Sequence, residues 1–125
     1  MIAGVGFDLV GVRRFKAVLR RQGERFLARL YTAAERRYCE SRADRAIHYA
    51  ARFAAKEAVL KAMGLGWSGG IGWAEVEVVR ARAGDVSVRL SGEARRAAAK
   101  KKIRRIHLNL THTEEYAAAV AVAES

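Results

Sequence analysis

The stretch Arg52-Phe53-Ala54-Ala55-Lys56-Glu57-Ala58-Val59-Leu60-Lys61-Ala62-Met63-Gly64 has helical periodicity and ends at a glycine suited to the C′ position. Glu57 and Lys61 are four apart and share a face, with the acid on the favourable N-terminal side. Phe53, Leu60 and Gly64 fall close to that face, so the pair does not sit on a wholly solvated stripe. Alanines at 50, 51, 54, 55 and 58 keep the upstream half slim enough for close approach. The pair reads in two ways. It is an i,i+4 ion pair worth about 0.3–0.5 kcal/mol, or a metal-binding carboxylate beside a phosphate-binding amine. The helix alone leaves both open.

Upstream, Asp44 is placed to cap this helix, which then runs from about 44 to Met63. Thr32 and Glu35 have capping-box spacing and open a helix ending near Ser41. Val12, Phe15, Val18 and Leu19 line one side of a helix over 12–22, with Arg13, Arg14, Lys16, Arg20 and Arg21 opposite. Phe26, Leu27 and Leu30 add a short helical turn. Arg14 and Arg21, seven apart, nearly eclipse; their face is either solvated or docks an anionic partner. Ile2 to Val10 reads as a buried strand with glycines at 4 and 6, and Asp8 near its end is a cap or a site residue.

Downstream, residues 64–72 carry five glycines and form a flexible loop. It follows a helix and lacks the Lys-Ser/Thr of a Walker loop, so it is not a nucleotide cradle. Alternation predicts strands over 74–81 and 86–90 joined by a hairpin at 83–85. Ser91 is placed to cap a basic helix bearing Arg95, Arg96, Lys100, Lys101 and Lys102, followed by Arg104 and Arg105. Strands follow over 106–110 and 116–123, joined by a tight turn, Thr111 to Glu115. The order β-α-α-α-β-β-α-β-β predicts one α+β domain over 1–125, a mostly antiparallel sheet packed against one long helix.

With 24 basic and 13 acidic residues among 125, the chain carries +11 and calls for an anionic partner. Nucleic acid leads on composition alone, but aromatic and basic residues do not interleave as a stacking groove requires. No window approaches a membrane span, and the apolar N-terminus lacks the basic flank of a signal peptide. A single cysteine, Cys39, fits a reducing cytoplasm and reads as an inert thiol.

Three segments together resemble one family. Gly4-Val5-Gly6-Phe7-Asp8-Leu9-Val10 resembles the opening Gly-x-Asp strand of the 4′-phosphopantetheinyl transferases. Phe53 to Lys61 is similar to their W/F-x-x-Lys-Glu-Ala-x-x-Lys helix, with Phe in the first position. Leu108-Asn109-Leu110-Thr111-His112-Thr113 is similar to their Ser/Thr-His-Thr strand end. The order, spacing and length match the short holo-[acyl-carrier-protein] synthase branch. The resemblance implies transfer of the phosphopantetheine arm of coenzyme A to a serine of an acidic acyl carrier protein. It also implies Mg²⁺ and a homotrimer with active sites between subunits. It assigns Asp8 and Glu57 to the metal, Lys61 to the diphosphate, and His112 and Thr113 to a turn beside the coenzyme. Arg45 and Arg52 match cations near the coenzyme's phosphates, and Arg14 and Arg21 a carrier-docking face. Two carboxylates suit Mg²⁺, which keeps waters and substrate phosphates as its other ligands. The serine's proton needs a base, and Glu57 and a water at the metal both qualify.

The rival readings are a small nucleic-acid-binding module using the two basic helices, and an inert homologue that only docks a carrier. The first gives no reason for Asp8 and Glu57, because carboxylates beside phosphates repel unless a cation intervenes. The reading adopted therefore expects neither nucleic acid nor membrane as a partner.

Overall fold

The computed structural model describes residues 1–67 and 70–125. Its elements are β1 (Ile2–Gly11), α1 (Val12–Leu30), α2 (Ala33–Glu40), α3 (Arg45–Ala62), a 3₁₀ turn (Trp73–Glu75), β2 (Val76–Arg80), β3 (Val86–Leu90), α4 (Gly92–Lys100), β4 (Arg105–His112) and β5 (Tyr116–Glu124). The glycine-rich loop expected over 64–72 includes Ser68 and Gly69, which lie outside the described residues.

All strand pairing is antiparallel, as expected, but it makes two sheets rather than one. β1, β5 and β4 form a three-stranded sheet in the order β1-β5-β4, and among the described residues β2 pairs only with β3. Helix α3 lies against β1, β5 and β4 and also meets α1, α2 and β2. Its approach to β1 depends on glycine: a Cβ at Gly6 would overlap the Ala58 carbonyl, and one at Gly4 the Ala62 carbonyl. The slim alanine face allows the same closeness from the helix side. Ala54, Ala55 and Ala58 are wholly buried against the inward alanines of β5.

The strand β1 is not buried on both faces. Val5, Phe7 and Leu9 are 61%, 58% and 56% exposed on the side away from α3, where Val120 of β5 pairs with Phe7. The apolar run therefore covers the core on one face and leaves a hydrophobic strip on the other.

Helix α1 is broken at Gly23, which takes φ 59° and ψ −139°, so the helix expected over 12–22 and the helical turn of Phe26, Leu27 and Leu30 meet there as two segments. The bend turns Phe26, Leu27 and Leu30 onto the same core as Phe15 and Leu19. The Thr32–Glu35 capping box is present with both bonds. Gly64 takes the C′ position of α3 with φ 70°. Two expected caps differ. Asp44 precedes α3 but makes no capping bond, its carboxylate turned instead to Lys16 at 3.4 Å. Ser91 makes none either; Glu75 Oε1, from the 3₁₀ turn, accepts from the Ala94 amide at 3.2 Å.

One feature absent from the sequence reading ties α2, α3 and β2 together. Lys56 and Glu35 are both fully buried and meet at 2.9 Å. Lys56 Nζ also donates to the Val76 carbonyl at 2.7 Å and the Trp73 carbonyl at 3.2 Å. Glu35 accepts from the amides of Thr32 and Val78 at 2.9 and 2.8 Å. Each buried charge thus has several partners, the condition under which a buried pair is tolerated. Cys39 is buried, and burial pushes its thiol up to about 12. It stays protonated at neutral pH and hence a poor nucleophile.

Candidate active site

Helix α3 and strand β1 bring together residues 49 positions apart, as the numbers of Asp8 and Glu57 show. Both carboxylates line one open cleft of about 370 Å³, walled by Phe15, Phe26 and Phe53 and flanked by Arg14. Close packing of β1 on α3 aims Asp8 there. Asp8 faces Ala119 across the sheet, in the same row as Leu110.

Among the described residues Glu57 and Lys61 do not form the i,i+4 ion pair that is one of the two readings of their spacing. Lys61 Nζ instead donates to Asp8 Oδ1 and the Phe7 carbonyl, each at 3.1 Å. Its side chain is half exposed and that of Asp8 largely buried. Glu57 Oε1 accepts from the indole N–H of Trp67 at 3.0 Å. Among the described residues the second oxygen of each carboxylate accepts no protein hydrogen bond. The two acids and Lys61 therefore form one polar cluster across β1 and α3.

A second cluster lies at the other end of α3. His48 is nine residues before Glu57, roughly 13 Å along the helix axis. The rings of His48 and His112 meet edge to face at 5.2 Å, and His48 meets Tyr38 at 5.8 Å. Around the Tyr38 ring stand Arg52, Arg42 and Arg80, at 4.2, 5.4 and 5.3 Å. Arg52 is 1% exposed, and its Nε is the one buried side-chain N or O without a partner among the described residues. Three guanidiniums, one with an orphaned buried N–H among the described residues, make a donor set whose chemistry suits an anion. Burial, then His112, Arg52, Arg42 and Arg80, holds the His48 imidazole below its ordinary 6.5.

Arg45 is not in this cluster. It pairs with Glu40 at 2.7 Å, and Tyr49 donates to the same carboxylate oxygen at 2.8 Å. Thr113 spends its hydroxyl on the turn before β5, accepting from the amides of Glu115 and Tyr116 at 3.2 and 3.0 Å. Arg14 and Arg21 are both exposed but border different recesses, Arg14 the carboxylate cleft and Arg21 one shared with Arg25 and Arg29. The sequence reading missed Arg42, Arg80 and His48. They come from a loop, a strand and a helix whose meeting no local pattern announces.

Residues 4–121 match the model of the 4′-phosphopantetheinyl transferase superfamily. The chain belongs to this superfamily. The transferase is 46% identical to holo-[acyl-carrier-protein] synthase of Koribacter versatilis, covering 99% of each chain. Its fold matches the crystal structure of the Neisseria meningitidis holo-[acyl-carrier-protein] synthase with a TM-score of 0.92, at 27% identity and full coverage of both chains. An ACPS–CoA complex from Chronobacterium ammoniagenes matches with a TM-score of 0.80 at 33% identity, over 96% of this transferase and 95% of that chain.

Proposed function

We infer that this transferase moves the 4′-phosphopantetheine arm of coenzyme A onto a serine of apo acyl carrier protein, releasing adenosine 3′,5′-bisphosphate. The observation that carries the site assignment is the meeting of Asp8 and Glu57 at one cleft, with Lys61 bonded to Asp8 at 3.1 Å, in a chain with net charge +11. In the reaction the serine oxygen bonds to the β-phosphorus as the bond from that phosphorus to the bridging oxygen breaks. The electron pair leaves on the bisphosphate, and the serine proton passes to a base. Glu57 and a water at the metal both qualify as that base.

Asp8 and Glu57 fit a divalent cation, since each offers a carboxylate oxygen unclaimed by protein. Among the described residues no third His, Cys, Asp or Glu joins them, which suits Mg²⁺, whose other ligands are waters and substrate phosphates. When bound, Mg²⁺ offsets charge on the diphosphate oxygens. Lys61, bonded to Asp8, would add a second positive charge toward the diphosphate. The Tyr38 cluster suits the coenzyme's terminal phosphate, with Arg42 and Arg80 beside Arg52 and His112. Arg45, already neutralised by Glu40, is the weaker candidate.

The two clusters are separated along α3, with His48 roughly 13 Å from Glu57 along the axis, and a neighbouring copy would complete the site. The exposed strip of Val5, Phe7 and Leu9 suits the same arrangement, because contiguous apolar patches mark contact surfaces. A homotrimer closes such a contact by rotation. Phe7→Asp is expected to give monomers in light scattering, while the wild-type chain scatters at three times 13.8 kDa. A trimeric variant would remove the strip from the interface.

The functional test is release of adenosine 3′,5′-bisphosphate from coenzyme A, followed by chromatography with and without apo carrier and Mg²⁺. Release is expected only when carrier and metal are both present, and release with neither would count against the reading. Carrier docking has its own test. Arg14→Glu with Arg21→Glu is expected to raise KM for carrier by about tenfold or more and leave that for coenzyme A within twofold. Equal changes in both constants would remove the docking assignment.

His48 gives a pH prediction. Its folded value lies below the unfolded one, so the unfolded chain binds more protons between the two. Its contribution is intact above 6.5 and turns unfavourable as pH falls through that value. The melting temperature should drop between pH 7.5 and 5.5, and less in His48→Gln. Equal drops in both proteins would place the titration elsewhere.

A further inference from the structure

Glu57 is the only one of the two cleft carboxylates held by a neutral donor. Its Oε1 takes the Trp67 indole N–H at 3.0 Å, whereas Asp8 is held by a lysine. The indole is itself fixed. The rings of Trp67 and Trp73 stack at 3.7 Å, and Trp73 stacks on Phe53 at 5.1 Å. Phe53 stands one helical turn before Glu57 on the same face of α3. The backbone of Trp73 is anchored from below, where Lys56 donates to its carbonyl at 3.2 Å. A continuous path thus runs from the buried Lys56 through Trp73 and Trp67 to one oxygen of Glu57.

A glutamate side chain turns freely about its last bond, so an unheld carboxylate samples many orientations. A neutral N–H on one oxygen restricts that rotation without cancelling the carboxylate's charge, which leaves the other oxygen available to a cation. Carboxylates that bind metals are commonly braced by hydrogen bonds, and losing the brace typically weakens metal binding or activity 10- to 100-fold.

We propose that Trp67 is a positioning residue whose indole N–H, clamped by Trp73 and Phe53, orients Glu57 so that its second oxygen faces a divalent cation in the cleft. This rests on the assignment of Asp8 and Glu57 to the metal. Trp67→Phe keeps an aromatic ring for the stack and deletes the N–H.

The probe is Mn²⁺, titrated into protein with coenzyme A, with free ion read by electron paramagnetic resonance. Trp67→Phe is expected to raise the Mn²⁺ dissociation constant by about tenfold. The Mg²⁺ concentration giving half-maximal turnover should rise by the same factor, and kcat should recover at saturating Mg²⁺. Unchanged Mn²⁺ affinity in Trp67→Phe, with wild-type binding intact, would overturn the role of Trp67 alone. A lowered kcat that saturating Mg²⁺ does not restore would also overturn it. Failure of the wild-type protein to bind Mn²⁺ would overturn the metal assignment itself. A second reading uses Trp73→Phe, which leaves Trp67 as the only tryptophan of the two in the chain. Paramagnetic Mn²⁺ should quench its fluorescence strongly, and absence of quenching would place the ion away from Glu57.

Discussion

Replacing Lys56 by methionine is expected to destabilise the protein by about 3–5 kcal/mol, because it leaves one charge of a buried pair without its partner. Both side chains are fully buried. In Lys56→Met the Glu35 carboxylate keeps the amides of Thr32 and Val78 but loses the cation paired with it, and the carbonyls of Trp73 and Val76 lose the Lys56 donor. Burial pushes the Lys56 amine down and Glu35 opposes that fall, so the amine's charge depends on the pair. For a chain of this length the loss corresponds to a fall in melting temperature of roughly 10–20 °C. Thermal denaturation followed by circular dichroism measures it. Adding Glu35→Gln should recover part of the loss, with a coupling on the order of 1–3 kcal/mol in the double-mutant cycle. A single variant melting within a few degrees of wild type would show that the pair is dispensable.

Glu57→Gln carries the largest expected effect on activity. The amide matches the carboxylate in shape and still accepts from the Trp67 N–H, so the fold should survive. What disappears is one negative charge at the cleft, and with it one of the two candidate bases for the serine proton. Loss of a single electrostatic group at a reacting centre typically lowers turnover by 10²–10³-fold, and loss of a base adds to that. Initial rates over a range of Mg²⁺ concentrations should show a fall of at least about 10³-fold, with melting temperature and scattering mass unchanged. Wild-type rates in this variant would remove Glu57 from the chemistry.

Helix α3 was legible in the sequence because periodicity, a terminal glycine and a motif agreed along one continuous stretch. Its boundaries, the capping box at Thr32 and the hairpin of β2 and β3 came out as expected for the same reason: each is a local pattern. The division into two sheets was not legible, since strand pairing is a long-range choice that short alternating segments do not specify. Nor was the exposed face of β1. An apolar run reads as buried whether its second face meets the core or another copy of the chain.

At the site, the resemblance supplied Asp8, Glu57 and Lys61, and the structure brings all three together. Periodicity alone leaves open whether Glu57 pairs with Lys61. The geometry gives Lys61 to Asp8 and Glu57 to Trp67, because the glycines at 4 and 6 let β1 lie closer to the helix than a side-chain spacing rule assumes. Lys56, adjacent to Glu57 in the motif, proved to be the buried one. One residue along a helix turns a side chain by about 100°, enough to move it from cleft to core. Arg45 and Arg52 both looked like phosphate contacts by position. Glu40 neutralises the first, and the second stacks on Tyr38 with Arg42 and Arg80, a grouping assembled from three separate elements.

The most direct measurement is the intact mass of an apo acyl carrier protein after incubation with this protein, coenzyme A and Mg²⁺. The account predicts a carrier heavier by one phosphopantetheine, attached at serine, and no such product with Glu57→Gln. An unchanged mass across fatty-acid, polyketide and peptide carriers would contradict it.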